Sequence, residues 1–235
     1  MINSLSEYAR PSLQTLLFEH RFGDREGALS GHSLGNIILH ALEDLAPRPQ
    51  AALDLVTHWL GIETRIIPMS EEPAELVAEA NGRYVEGEVE GDAMDVLPEC
   101  LGLSPQVDAS PEAVEAIQNA DLVILGPGSV MTSVVPSLLV DGIKRALVDT
   151  AARKIWIQNS GREDGPMGTL DPSEVHEWLR GILGFQYADA ILVDEQTELS
   201  APHCDVIAAR LCGEERSGRY GPEALSSAYR DLVSV

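Results

Sequence analysis

Residues able to hold a ligand concentrate in the stretch Gly126-Pro127-Gly128-Ser129-Val130-Met131-Thr132-Ser133, directly after the apolar run Asp121–Leu125. Glycines let the backbone approach a bound group closely. Ser129, Thr132 and Ser133 add hydroxyl donors, and the free N–H groups and dipole of a following helix favour an anion. The same residues also suit a plain strand-to-helix turn with a serine cap. No Gly-Lys-Ser/Thr follows, so this is not a Walker loop, and the glycines are not spaced as G-x-G-x-x-G. A second polar stretch, Asn159-Ser160-Gly161-Arg162-Glu163-Asp164-Gly165, follows the strand candidate Lys154–Gln158. At a strand end the Asn159 amide could read a base or a sugar. Arg162 could meet a phosphate, and it also reads as a solvated loop residue.

A third stretch, Gly31-His32-Ser33-Leu34-Gly35-Asn36, matches G-x-S-x-G from Gly31 to Gly35. A nucleophile elbow needs a buried strand immediately before it. Here Gly23-Asp24-Arg25-Glu26-Gly27-Ala28-Leu29-Ser30 precedes, charged and glycine-rich. Asp194 and His203 would complete a triad in chain order, but the strained elbow has nothing to stand on, and no catalytic residue is assigned. His32 at a helix start is open to two readings, a ligand donor or a packed histidine.

These loops must be carried by a fold, and strand and helix signals alternate along the chain. Leu34, Ile37, Ile38, Ala41, Leu42 and Leu45 recur at helical spacing, and Pro47 stops that helix. A second helix is expected over Gln50–Leu60 and a short strand over Arg65–Met69. Extended runs Ala74–Ala80 and Arg83–Glu90 flank Asn81-Gly82, whose residues tolerate the positive φ of a tight hairpin turn. Ser110-Pro111 opens a helix to about Asn119. Further helices are expected over Pro136–Ala152, from Asp171-Pro172 to Leu183, and over Pro222–Leu232. Ala190–Val193 and Val206–Ala209 read as strands. This order implies an α/β fold, a Rossmann-like mostly parallel sheet with helices on both faces and a small hairpin insert around 74–90. One domain, 1–235, is expected to hold it all.

The bulk properties exclude several roles. The formal net charge is −22 over 235 residues, whereas duplex binding requires a basic footprint. No nucleic-acid partner is therefore expected. No apolar run reaches the ~20 residues of a bilayer span, and the N-terminus lacks the pattern of a signal peptide. The three cysteines, Cys100, Cys204 and Cys212, form no C-x-x-C pair. No disulfide framework and no metal site are expected, and a cytoplasmic setting fits. Homo-oligomerisation is left open.

Taken together, the segments resemble the YvcK/CofD-like family. The resemblance is carried by Phe18–Phe22 and Gly31–Asn36, then Ile67-Pro68-Met69, and Asn81-Gly82 with Gly87-Glu88. Its longest element is Ala120–Gly142, ADLVILGPGSVMTSVVPSLLVDG. It implies a Rossmann-like fold holding a nucleotide or nucleotide sugar. The YvcK branch, the gluconeogenesis factors, is associated with UDP-sugar binding, carbon flow and cell-wall morphogenesis. The CofD branch transfers a 2-phospho-L-lactate-type group in coenzyme F420 synthesis, with a divalent metal. The transferases resemble Gly-Pro-Ser-Asn-Pro at the loop where this chain has Gly126-Pro127-Gly128-Ser129-Val130, which points to the regulatory branch. By resemblance the ligand-binding residues are Gly31, His32, Gly35, Asn36, Gly126, Pro127, Gly128, Ser129, Thr132, Ser133 and Asn159. Two departures are visible. The family's first strand and Gly-rich loop are not in the 235 residues, so the resemblance implies a chain truncated at its N-terminus relative to the family, through a misassigned start or a true loss. The usual Gln-Pro-Gly-Glu-Thr after the Asn159 position is replaced by Ser160-Gly161-Arg162-Glu163-Asp164.

Overall fold

The computed structural model describes residues 12–23, 29–87, 91, 94–211 and 220–233. Cys212 and Glu88, singled out above, lie outside them, as does the end of the expected run to Glu90. The chain forms two compact units, Met1–Glu71 and Glu72–Val235.

The first unit is helical: α1 (Leu13–Glu19), α2 (Leu34–Leu45) and α3 (Pro49–Leu60). Ser12 and Ser33 cap α1 and α2, each side chain accepting from a backbone N–H three residues on, which satisfies donors that a helix start leaves free. Pro49 opens α3, and Gly61, at φ 68°, closes it in the left-handed conformation. Phe18, Leu39, Leu53, Val56 and Leu60 form the core. The expected strand at Arg65–Met69 is absent: those residues join no ladder.

The second unit holds two sheets. The smaller is antiparallel, in the order β2-β1-β3: β1 (Glu75–Ala80), β2 (Arg83–Glu86) and β3 (Cys100–Ser104). Asn81 and Gly82 sit at φ 52° and 71°, the positive pair a two-residue hairpin turn demands. So the hairpin insert is real, but a third strand, β3, joins it in register Val77↔Gly102.

The larger sheet is parallel, in the order β4 (Leu122–Leu125), β5 (Arg153–Ile157), β6 (Ala190–Asp194) and β7 (Asp205–Ala209). Between β3 and β4 lies α4 (Pro111–Gln118). β4 leads through a π-helical turn, Val130–Val134, into α5 (Val135–Leu139) and α6 (Asp141–Asp149). The helix expected from Pro136 thus starts earlier and breaks at Val140, whose backbone is extended. β5 leads to α7 (Pro172–Leu183), opened by a full capping box of Asp171 and Glu174. The last helix is α8 (Pro222–Val233).

Helices cover both faces of this sheet. Ile155, Ile157 and Leu192 pack with Leu211 and with Ala228 and Leu232 of α8. The alternate residue, Trp156, points the other way, edge-on to His176 of α7 at 5.7 Å and to Tyr187 at 5.4 Å between ring centroids. Period-two alternation places consecutive side chains on opposite faces, and every residue of β6 is buried, as a strand covered on both faces requires. Each fully buried aliphatic side chain contributes roughly 1.5–3 kcal/mol.

Candidate functional site

In an open parallel sheet, ligands bind beyond the carboxyl ends of the strands. β4 and β5 are neighbours, in register Leu125↔Trp156, so the loops after them emerge side by side. Their contact is specific. The Gly128 N–H donates to Asn159 Oδ1 at 3.2 Å, and Asn159 Nδ2 donates back to the Gly128 carbonyl at 2.9 Å. The same Nδ2 donates to Glu163 Oε1 at 2.6 Å, and Glu163 Oε2 accepts from the Val130 N–H at 2.9 Å. One amide and one carboxylate therefore tie two loops about thirty residues apart into a single platform. Both Nδ2 hydrogens of Asn159 are used in this clamp, so its donors face the neighbouring loop.

The glycines divide the work. Gly126 takes φ 78°, and a Cβ there would lie 3.2 Å from the Ile157 carbonyl; this is the position where the turn requires glycine. The Gly126–Pro127 bond is cis. Gly128 has no positive φ, and a Cβ on it would meet Val134 Cγ2 at 3.5 Å and Ser133 Cβ at 3.7 Å, ordinary contacts. Ser129 accepts from the Thr132 hydroxyl at 2.8 Å, and its carbonyl accepts from the Ser133 and Val134 N–H groups. Thr132 is buried, Ser129 half-buried, and Ser133 and Pro127 lie nearer the surface. Gly126, Pro127, Gly128, Ser129, Thr132, Ser133 and Asn159 are thus brought together; Arg162 is exposed on the second loop.

Gly31, His32, Gly35 and Asn36 belong to the first unit. Gly31, at φ 79°, turns the chain so that its N–H meets the Phe22 carbonyl at 2.9 Å and its own carbonyl accepts from Arg21 Nη1 at 3.2 Å. His32 and Asn36 are exposed. Gly35 is a packing residue: a Cβ there would fall 2.6 Å from the Phe18 ring. Ser33 is buried, with Oγ accepting from the Asn36 N–H at 3.1 Å. That is the work of a helix cap, and Leu29–Gly31 before it form a turn, with no strand to strain into an elbow. Asp194 accepts backbone N–H bonds from Gln196 and Leu211.

Sequence reasoning missed Glu163 as a clamp and a buried chain behind Asn159. His176 Nε2 lies 2.9 Å from Gln158 Oε1, and Nδ1 meets the Tyr187 hydroxyl. A carbonyl oxygen only accepts, so Nε2 carries the proton and Nδ1 accepts from tyrosine. Burial lowers the His176 pKa to about 4 and raises that of Tyr187. The Tyr220 hydroxyl donates to the Gln158 carbonyl. Nothing in the spacing of residues 158, 176 and 187 advertised this chain. Beside it, α7 and Ser200–Cys204 enclose a cavity of about 270 Å³ lined by His176, Arg180, Tyr187 and His203. Burial pushes the Cys204 thiol pKa up, which keeps it protonated and weakly nucleophilic. Among the described residues no group of three or more His, Cys, Asp or Glu side chains is placed to hold a metal, and no helix is long and apolar enough to cross a membrane.

The profile of the family described as "2-phospho-L-lactate transferase CofD" matches residues 1–209. A Pasteurella multocida protein described as "Putative gluconeogenesis factor" is 38% identical over 226 residues, 95% of this chain and 73% of that protein. One from Vibrio cholerae with the same description is 36% identical over 95% of this chain and 76% of its own length. The Bacillus subtilis "Gluconeogenesis factor" is 32% identical over 77% of this chain and 57% of its own length. Among solved structures, a UPF0052 family member from Bacillus halodurans superposes with a TM-score of 0.87 at 26% identity, covering 97% of this chain and 81% of that one.

Proposed function

This chain belongs to the CofD family, with relatives described as gluconeogenesis factors, and we propose that it is a regulator of carbon metabolism and cell-wall morphogenesis that binds a nucleotide sugar of the UDP-sugar class. The observation that carries the reading is the Gly128–Asn159 junction, where two loops meet at the carboxyl ends of adjacent parallel strands. The Ser129 and Ser133 hydroxyls beside it would offer donors to phosphate oxygens. A phosphate gains from nearby donors even on a chain of net charge −22, because distant charges are screened beyond ~8 Å at physiological salt. The setting in this reading is the cytoplasm.

The second reading is a phospholactyl-type transferase, supported by the description of the family profile. The loop Gly126-Pro127-Gly128-Ser129-Val130, unlike the Gly-Pro-Ser-Asn-Pro of the transferases, favours the first.

The discriminating experiment is calorimetric titration with UDP-glucose, UDP-N-acetylglucosamine and duplex DNA, on the wild type and on Gly128→Ala. Because Gly128 accepts a Cβ without close contact, the substitution should leave stability unchanged or raise it by up to about 1 kcal/mol. Within this reading a methyl on the loop that holds the phosphates, packed beside Ser133 and Val134, should still weaken nucleotide binding about tenfold, equivalent to ~1.4 kcal/mol. Equal binding by the variant would reduce the loop to a turn. Turnover of a phospholactyl donor would favour the transferase.

A further inference from the structure

We propose that Glu163 is a built-in occupant of the platform: its carboxylate holds the place of a ligand's anionic group, and an anionic ligand binds by displacing it. The inference rests on the nucleotide-binding reading above and adds its regulation. Glu163 comes from the β5 loop, yet its two oxygens accept from the Val130 N–H at 2.9 Å and from Asn159 Nδ2 at 2.6 Å. A carboxylate receiving one donor on each oxygen reproduces what two oxygens of a phosphate would do between the same groups. The side chain is half-buried.

The backbone behind Glu163 is tightly seated. A Cβ on Gly168 would overlap the Glu163 carbonyl oxygen, so glycine there lets the Pro166–Thr169 turn press against it. Gly165, at φ 70°, makes the reversal between them. The backbone of Glu163 is thus fixed by the fold, its carboxylate rests on the Val130 and Asn159 donors, and an anionic ligand competes with it for them. A neutral sugar lacks the charge to do so. The self-contact therefore filters ligands for phosphate or carboxylate groups, and it keeps the platform closed at low ligand concentration.

The test uses the full chain with two substitutions, Glu163→Ala and the near-isosteric Glu163→Gln. The glutamine side chain has one acceptor oxygen, so it can satisfy only one of the two donors and carries no charge. UDP and inorganic phosphate serve as separate probes in calorimetric titration at fixed salt. The expected result is about tenfold tighter binding of UDP in both variants than in the wild type, a shift of ~1.4 kcal/mol. Phosphate tightening in parallel supports displacement by the anionic group itself. If the wild type binds UDP and a folded variant binds it equally or more weakly, Glu163 is no occupant and the proposal falls, while the nucleotide-binding reading stands. If neither wild type nor variants bind either probe, both fall together.

Discussion

Replacing Asn159 provides the sharpest perturbation of the platform. Its side chain makes two bonds with Gly128 and one with the Glu163 carboxylate. Neutral hydrogen bonds contribute about 1 kcal/mol each and one to a charged group about 1.5–3, a gross sum of roughly 3.5–5. The residue is half-buried, so water replaces part of what Asn159→Ala removes, and a net loss of about 2 kcal/mol is expected. Asn159→Asp keeps the size and one acceptor but turns a carboxylate oxygen toward the Gly128 carbonyl and Glu163 Oε1, where Nδ2 sat at 2.9 and 2.6 Å. Aspartate should therefore be worse than alanine at neutral pH, and the excess should shrink in acid, where a protonated carboxyl donates again. A ranking by side-chain size alone gives the opposite order. The assay is urea unfolding followed by tryptophan fluorescence in a Trp59→Phe background, leaving Trp156 and Trp178 to report on the second unit. Aspartate equal to or milder than alanine, or both within about 0.5 kcal/mol of the parent, would refute the clamp.

Two further outcomes follow from packing and protonation. Gly35→Ala should destabilise the first unit by about 1–2 kcal/mol in thermal or urea unfolding. A Cβ 2.6 Å from the Phe18 ring and 2.8 Å from its carbonyl outweighs the ~1 kcal/mol gain in helix propensity. His176 is held neutral in the fold with a pKa of about 4 against the ordinary value of 6.5, so the unfolded state binds the extra proton between those values. Stability is then full above the unfolded pKa and declines as pH falls toward the folded one, by about 2 kcal/mol at about pH 5. The decline should be lost in His176→Gln, measured by urea midpoints at about pH 7.5 and about pH 5.

Local chemistry made much of the fold legible. Asn81-Gly82 announced its hairpin through the φ values it permits, Asp171-Pro172 its helix through the cap, and Leu122–Leu125 its strand through an unbroken apolar run. Each signal sits within a few residues of its effect, and the loop at Gly126–Ser133 could be placed at a strand end for the same reason. What depends on partners far along the chain was not legible. β3 is a strand because β1 lies beside it, and Arg65–Met69 is none because no ladder meets it. Gly35 owes its identity to Phe18, and the positive φ falls on Gly126 instead of Gly128. Above all, the pairing of Asn159 and Glu163 with Gly128 and Val130 exists only because a parallel sheet sets β4 beside β5. Hydrogen bonds between side chains and a distant backbone leave no periodicity or spacing in the sequence; the crossover that joins the strands decides them.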